Sequence, residues 1–241
     1  MIKQGQFVLL LLTAISGCTK NATTVPAITD NKTATVKTMT DSLNYLALGD
    51  SYTIGEALPQ SQSFPYQLSA ALTSASIPVG HPTIIATTGW TTDNLINAIA
   101  SSGVAGKKYD FVTLLIGVND QFQGLSQSNY QVKFAQLLNT AINFANGDTT
   151  RVFVLSIPDY GVTPFAGGND SLIGPQIDQF NAINKAESLR ASVHYLDITD
   201  ISRQAATDAS LIAQDGLHPS GKMYGLWIQR LEPIVAARLK K

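Results

Sequence analysis

The chain of 241 residues is poor in cysteine and in charged residues, and both shortages limit what it can be. Its single cysteine, Cys18, allows no disulfide within the chain. Only 14% of the residues are charged, against roughly 25% in an average soluble protein, and the formal net charge is −1. The sequence therefore lacks the basic face that nucleic-acid binding needs, and it lacks an acidic solvating tail.

Patterns for metals and cofactors are missing as well. No spacing of His, Cys and Asp resembles a metal site, and His81 and His194 suit ordinary polar roles. The pair Gly167-Gly168 indicates a flexible loop, because the Gly-Lys-Ser/Thr ending of a phosphate-binding loop does not follow it. We therefore expect no metal, no cofactor and no nucleic-acid partner.

The amino-terminal residues have the pattern of a secretory signal. Lys3 supplies a positive charge, residues 7–15 are almost wholly apolar, and the small residues Ser16 and Gly17 precede Cys18. The apolar run is shorter than the roughly 20 residues that span a bilayer. The pattern predicts that residues 1–17 are removed on export.

Residues 15–18, Ile-Ser-Gly-Cys, resemble a bacterial lipobox. The resemblance implies that Cys18 becomes the acylated amino terminus of a membrane-anchored, extracytoplasmic lipoprotein. Thr19 is not the aspartate that often retains lipoproteins in the inner membrane, which favours the outer membrane. Residues 18–41 are rich in Thr, Ala and Asn and predict a flexible tether. The alternative is a buried cysteine or an uncut apolar segment.

From residue 43 onward, short apolar runs alternate with helix-like segments. This alternation predicts a parallel sheet that is covered on both faces by helices. We expect one α/β domain over residues 42–241, a three-layer α/β/α sandwich with a flavodoxin-like five-stranded sheet in the order 2-1-3-4-5. The predicted strands are 43–48, 83–86, 111–116, 152–157 and 193–198. The predicted helices are 63–74, 93–101 with Thr92 as N-cap, 130–144, 176–190 and 222–239, the last with Trp227, Ile228 and Leu231 in the core.

Short polar motifs follow the predicted strands. The first strand leads into Gly49-Asp50-Ser51-Tyr52, the second into Gly89, and the third into Gly117-Val118-Asn119-Asp120. A fourth motif, Asp215-Gly216-Leu217-His218, precedes the last helix. Ligands of open α/β sheets bind beyond the carboxyl ends of the strands, where the strand order reverses. The first three motifs are therefore expected to meet at one crevice.

The residue types in these motifs suit nucleophilic catalysis. A serine hydroxyl becomes reactive when a base takes its proton, and His218 could act as that base for Ser51. Asp215, three residues before His218, could orient the imidazole. The backbone N–H groups of Ser51 and Gly89 and the side-chain amide of Asn119 are candidate donors to an oxyanion.

Taken together, these four blocks resemble those of the SGNH/GDSL hydrolase family, over about residues 43–239. The resemblance implies a serine ester hydrolase with Ser51 as nucleophile, His218 as base and Asp215 as its partner. It implies an oxyanion hole formed by Ser51, Gly89 and Asn119. The stretch 49–56 is most similar to the lysophospholipase and esterase branch of the family. The expected extracytoplasmic location suits either lipid or carbohydrate acyl esters as substrate. We expect a monomer.

Each residue also has a plainer interpretation. Ser51 could be only a helix N-cap, Asn119 a turn residue, and His218 a histidine of a surface loop. Trp90 could line the substrate groove or pack beneath a loop. The chain as a whole could be a surface-anchored, non-catalytic binding protein on the same fold.

Overall fold

The computed structural model describes residues 42–240, which contain a five-stranded parallel sheet in the order β2-β1-β3-β4-β5. The predicted fold class and strand order are confirmed. The strands are β1 (Tyr45–Gly49), β2 (Thr83–Ala86), β3 (Phe111–Leu115), β4 (Val152–Leu155) and β5 (His194–Leu196). Each is equal to or shorter than the predicted strand, because the neighbouring residues turn into the loops that carry the polar motifs.

The helices connect successive strands and cover the sheet. They are α1 (Ser51–Ile54), α2 (Phe64–Ser74), α3 (Thr92–Ser101), α4 (Val118–Phe122), α5 (Gln127–Phe144), α6 (Asp170–Arg190), α7 (Thr199–Arg203) and α8 (Gly221–Leu239). The strand order reverses direction after β2, so right-handed crossovers put α2 on one face and α3, α5 and α6 on the other. Helix α8 packs against α2, while α5 packs against both α3 and α6.

Some helix boundaries differ from the sequence prediction. The N-cap of α3 is Thr91 rather than Thr92, because Thr91 and Asn94 form a reciprocal capping box. Helix α6 begins at Asp170, six residues before the predicted start at 176, and continues through Pro175. The short helices α1, α4 and α7 carry too few residues for a periodic signal, and the sequence analysis gave no bounds for them.

The two central strands form the inside of the core. Every residue of β1 and β3 is buried, which explains why both strands are nearly free of charge. Tyr45 stacks on Phe111 with ring centroids 4.3 Å apart, and its hydroxyl lies 2.7 Å from Thr113 Oγ1. On α8, the predicted core residues Trp227, Ile228 and Leu231 are all buried.

The predicted signal 1–17, the tether 18–41 and Cys18 lie outside the described residues, and so these assignments stay predictions. Within residues 42–240, no helix is long and apolar enough to cross a membrane.

The end of β1 leaves no room for a side chain at Gly49. A Cβ atom there would overlap both Thr53 Oγ1 and the backbone oxygen of Leu115. Leu115 belongs to the neighbouring strand β3, and its backbone cannot move without disturbing the sheet. Glycine at this position therefore allows the chain to turn from β1 directly into α1.

We expect Gly49→Ala to lower the free energy of unfolding by about 1–3 kcal/mol, because the added methyl group overpacks a buried site. Gly80→Ala is the matched control, since a Cβ there meets its nearest neighbours at 3.7 Å. The control should change stability by less than about 0.5 kcal/mol. Urea denaturation of both variants measures the difference, and equal stabilities would contradict this interpretation.

Candidate active site

Ser51 is the first residue of α1 and follows β1 with only Asp50 between them. Asp50 caps the helix, because its Oδ1 accepts a hydrogen bond of 3.0 Å from the Tyr52 N–H. The backbone oxygen of Tyr52 accepts a hydrogen bond of 2.9 Å from the hydroxyl of Tyr224 on α8. The backbone after the serine is thus held by two side chains, and Ser51 itself is only 5% exposed.

Asp215 and His218 are bonded to each other in the loop before α8. The imidazole Nδ1 lies 2.5 Å from Asp215 Oδ2, and Asp215 Oδ1 accepts the backbone N–H groups of Leu217 and His218, each at 3.0 Å. The loop is closed by a hydrogen bond of 2.8 Å from the Ala213 N–H to the His218 oxygen. The spacing of three residues therefore brings the carboxylate and the imidazole together, as the sequence predicted.

The carboxyl of Asp215 stays ionised at neutral pH. Burial raises its pKa, but the hydrogen bonds from the His218 ring and from the two backbone N–H groups outweigh burial and lower the pKa below its usual value. The Tyr52 ring meets the imidazole edge-on, with centroids 5.6 Å apart. His218 is thus held through Nδ1 on one side and by an aromatic contact on another.

Asn119 follows β3 and Gly89 follows β2, at the same edge of the sheet as Ser51. The amide of Asn119 donates one hydrogen bond of 2.9 Å to the Trp90 backbone oxygen, and an amide has a second N–H to offer. Gly117 precedes α4 with a φ of 125°, and a side chain there would overlap the hydroxyl of Tyr130. This glycine therefore lets α4 begin directly beyond β3, which places Asn119 at the crevice.

These residues face one pocket with a volume of about 130 Å³. Its lining consists of Ser51, Tyr52, Thr88, Gly89, Val118, Asn119, Phe122, Tyr160, Phe165, Leu217 and His218. The structure thus brings together Ser51, Gly89, Asn119 and His218, and it joins Asp215 to His218. Cys18 lies outside the described residues.

The hydroxyl of Ser51 is not bonded to the imidazole. Within the described residues 42–240, Ser51 and His218 share the pocket but no hydrogen bond. Hydrogen bonds between catalytic groups are often long without substrate and tighten when substrate binds. The arrangement is therefore compatible with proton transfer from Ser51 to His218, and the catalytic roles stay predictions.

Sequence reasoning missed the apolar side of the pocket. Phe122, Tyr160 and Phe165 line it, although none of them was singled out. The position of Phe122 three residues after Asn119 was a usable signal. Tyr160 and Phe165 lie in two 3-10 helices of three residues each, which are too short to show a sequence pattern. Trp90 is partly buried against the core, and its side chain is not part of the lining.

Asp50 is a fully buried carboxyl directly beside Ser51. Burial raises its pKa to about 8; the charge of Asp120 adds to this effect, and the hydrogen bond from Tyr52 opposes it. Asp120 is itself bonded to the backbone N–H of Thr92 at 2.9 Å and to the hydroxyl of Thr92 at 2.7 Å. Burial therefore favours the neutral form of Asp50 over a second carboxylate in the site.

Within residues 42–240, no group of three or more His, Cys, Asp or Glu side chains is arranged to hold a metal ion. The pocket residues are instead a hydroxyl, an imidazole, amide donors and apolar side chains. This set suits attack on a polarised carbonyl carbon.

Residues 47–226 match the model of the GDSL-like Lipase/Acylhydrolase family. No curated protein sequence matches the chain. Among solved structures, TesA has a TM-score of 0.63 at 18% identity, over 81% of this chain and 99% of its own. EstA, a psychrotrophic esterase from Pseudoalteromonas sp. inhibited by monoethylphosphonate, has a TM-score of 0.62 at 16% identity, over 83% of this chain and 100% of its own. A mutant of Axe2, an acetyl-xylooligosaccharide esterase from Geobacillus Stearmophilus, has a TM-score of 0.63 at 16% identity, over 80% of this chain and 94% of its own.

The raised pKa of Asp50 predicts a pH dependence of stability. Between the ordinary value of 3.8 and about 8, the folded chain keeps a proton that the unfolded chain releases, so stability falls as pH rises. Asp50→Asn removes this titration. We expect its stability relative to the parent protein to increase by at most about 1.4 kcal/mol per pH unit between about pH 4 and 8.

Urea denaturation of both proteins at several pH values measures this difference, and the shared titrations of other groups cancel. The buried amide introduces a pH-independent cost, so the slope and not the absolute difference is the test. A difference that stays constant with pH would show that Asp50 is ionised in the folded protein.

Proposed function

The chain belongs to the GDSL-like lipase/acylhydrolase family, and on that premise we propose that it is a serine ester hydrolase that forms an acyl-enzyme on Ser51. The observation that carries the proposal is that His218, which is bonded to Asp215, lines the same pocket as Ser51. The family match supports ester chemistry, and the pocket supplies a group for each step of it.

In the first step, Ser51 Oγ attacks the ester carbonyl carbon while His218 Nε2 takes its proton. The tetrahedral intermediate collapses when the imidazolium gives that proton to the leaving alcohol, and the acyl group stays on Ser51. Water then attacks the acyl-enzyme with His218 again as base, which releases the acid and restores the serine. Asp215 fixes the tautomer with the proton on Nδ1 and balances the positive charge of the imidazolium.

The negative charge of the intermediate needs donors directed at the carbonyl oxygen. We assign this role to the backbone N–H groups of Ser51 and Gly89 and to the side-chain N–H of Asn119 that Trp90 does not use. Removing one donor of this kind typically costs about 2.7–4 kcal/mol of transition-state stabilisation.

The substrate is proposed at the level of acyl esters of lipids or carbohydrates. EstA is an esterase and Axe2 an acetyl-xylooligosaccharide esterase by their printed descriptions, and both are compatible with an ester substrate for this chain. At this low sequence identity, the structural similarity supports a shared fold only. It does not distinguish a lipid ester from a glycan ester as the substrate.

A non-catalytic binding protein on the same fold is the competing proposal. It draws support from the missing hydrogen bond between Ser51 and His218 in residues 42–240. It predicts that a ligand binds in the pocket without any covalent reaction at Ser51, and the experiment below separates the two.

We expect the protein to hydrolyse p-nitrophenyl esters, and we expect Ser51→Ala to lower kcat by at least about 10⁴-fold. Asp215→Asn should lower kcat by about 10⁴-fold, because the imidazole loses its fixed tautomer. The matched control is Ser61→Ala, an exposed serine outside the pocket, which should keep the parent's rate. A phosphonate probe should label Ser51 in the parent protein and leave Ser51→Ala unlabelled. Background rates in the parent protein and in every variant, together with an unlabelled Ser51 in the parent, would favour the binding protein.

We also propose that the protein is an extracytoplasmic lipoprotein anchored through Cys18, in the outer membrane of a bacterium. The support is the lipobox-like sequence 15–18 and the tether-like composition of residues 18–41. Several acyl chains on one cysteine would give firm anchoring, since a single chain binds membranes only marginally.

Expression with a clickable fatty acid tests the anchor. The parent protein should incorporate the label and sediment with membranes, whereas Cys18→Ala should lose the label. Asn21→Ala, a change a few residues beyond the proposed cleavage point, is the control and should be labelled like the parent. Equal labelling of the Cys18→Ala variant would refute acylation at this residue.

A further inference from the structure

The pocket of Ser51 has an aromatic side that the proposed chemistry does not use. The ring of Phe122 lies 6.2 Å from that of Tyr160 and 6.1 Å from that of Phe165, and the last two rings are 6.4 Å apart. All three rings line the pocket. Aromatic pairs at these distances attract one another, so the three form one cluster, which we call the aromatic wall.

The aromatic wall is open to solvent. Phe122 is 58% exposed and Phe165 is 53% exposed, while Tyr160 is buried behind them. Val132 on α5 and Leu189 on α6 are similarly exposed at 66% and 64%, but neither lines the pocket. Single exposed apolar residues need no explanation, whereas an apolar cluster in a pocket is typical of a binding surface.

The aromatic wall is tied to both halves of the proposed active site. Phe122 is the last residue of α4, the helix that carries Asn119. The backbone N–H of Phe165 donates a hydrogen bond of 3.0 Å to the oxygen of Gly216, which lies between Asp215 and His218. A ligand on the wall would therefore extend directly from a carbonyl group placed at Ser51.

Tyr160, the buried member of the wall, is held by charged neighbours outside the pocket. Asp159 precedes it and accepts a hydrogen bond of 2.8 Å from the Gly161 N–H. The same carboxylate pairs with Arg203 at 2.9 Å, and Arg203 also pairs with Asp178 at 2.8 Å. These contacts anchor the backbone on both sides of Tyr160, the residue against which Phe122 and Phe165 pack.

The lining offers few partners for a polar ligand. It contains no Asp, Glu, Lys or Arg side chain, the Thr88 hydroxyl donates to Glu56, and one N–H of Asn119 is used by Trp90. Beside Ser51 and His218, the side-chain polar groups that remain are the hydroxyls of Tyr52 and Tyr160 and the rest of the Asn119 amide. A sugar ring would bring several hydroxyl groups that lose water on binding and need new hydrogen-bond partners. A hydrocarbon chain has no such requirement and gains from leaving water.

We propose that the aromatic wall binds the hydrocarbon chain of the substrate, so that the site prefers esters with a medium or long apolar chain over acetyl esters of sugars. The inference rests on the proposed ester hydrolysis at Ser51. The hydrocarbon chain could belong to the acyl part or to the alcohol part of the ester, and the experiment distinguishes these two sources.

The test compares kcat/KM for two pairs of esters, p-nitrophenyl octanoate against acetate and octyl acetate against methyl acetate. The parent protein should prefer the longer chain in at least one pair, and that pair identifies the part of the ester that is bound. In Phe122→Ala/Phe165→Ala, this preference should fall by about 10- to 100-fold. Val132→Ala and Leu189→Ala, which remove exposed apolar side chains elsewhere, should keep the parent's preference.

Calorimetry with amides, which resist hydrolysis far more than esters do, gives a second readout that does not depend on turnover. N-methyloctanamide should bind the parent protein at least about 10-fold more tightly than N-methylacetamide, and the double variant should lose this difference. Failure of the proposed function would appear as an unlabelled Ser51 and no hydrolysis, with the binding difference still measurable. Two outcomes with a labelled, active protein would overturn the inference. One is a preference of the parent protein for acetylated sugars, and the other is a double variant that keeps the chain preference and the amide binding of the parent.

Discussion

The direction in which the chain leaves β1 and β3 determines where the crevice and the residues that line it lie. Both strands are central, buried and parallel, so their carboxyl ends meet at one edge of the sheet. The strand order reverses at this point, because β2 lies on one side of β1 and β3 lies on the other. The helices after β1 and β3 therefore diverge and leave a crevice between them. Ser51, two residues after β1, and Asn119, four residues after β3, both line the pocket at this point.

Much of this could be predicted from the sequence because its signals are local. Apolar runs such as 111–116 are buried on both faces and alternate with helices, which predicted a covered parallel sheet, while its order was taken from the flavodoxin-like architecture. Asp215 and His218 are three residues apart in one loop, and their hydrogen bond needs no distant contact. Trp227 and Leu231, four residues apart on α8, were assigned to the core by helical spacing.

What the sequence did not reveal depends on contacts between distant segments. The aromatic wall joins the end of α4 to two loops about 40 residues further along the chain, and no periodicity links them. Helix α6 runs through Pro175, although proline usually marks a boundary, and packing against α5 is a tertiary contact that local propensity cannot report. The catalytic roles of Ser51, Gly89, Asn119, Asp215 and His218 stay predictions, and the geometry is compatible with them.

The hydroxyl of Tyr224 reaches the backbone next to Ser51 from the last helix of the chain, 172 positions further along. Synthesis proceeds from the amino terminus, so the segment that carries the serine emerges long before the residue that braces it. His218 and Asp215 also belong to the final part of the chain. A nascent or truncated polypeptide thus has Ser51 without the imidazole that we propose as its base and without this support. The proposed reactive centre is complete only once the carboxyl-terminal segment of the chain has docked.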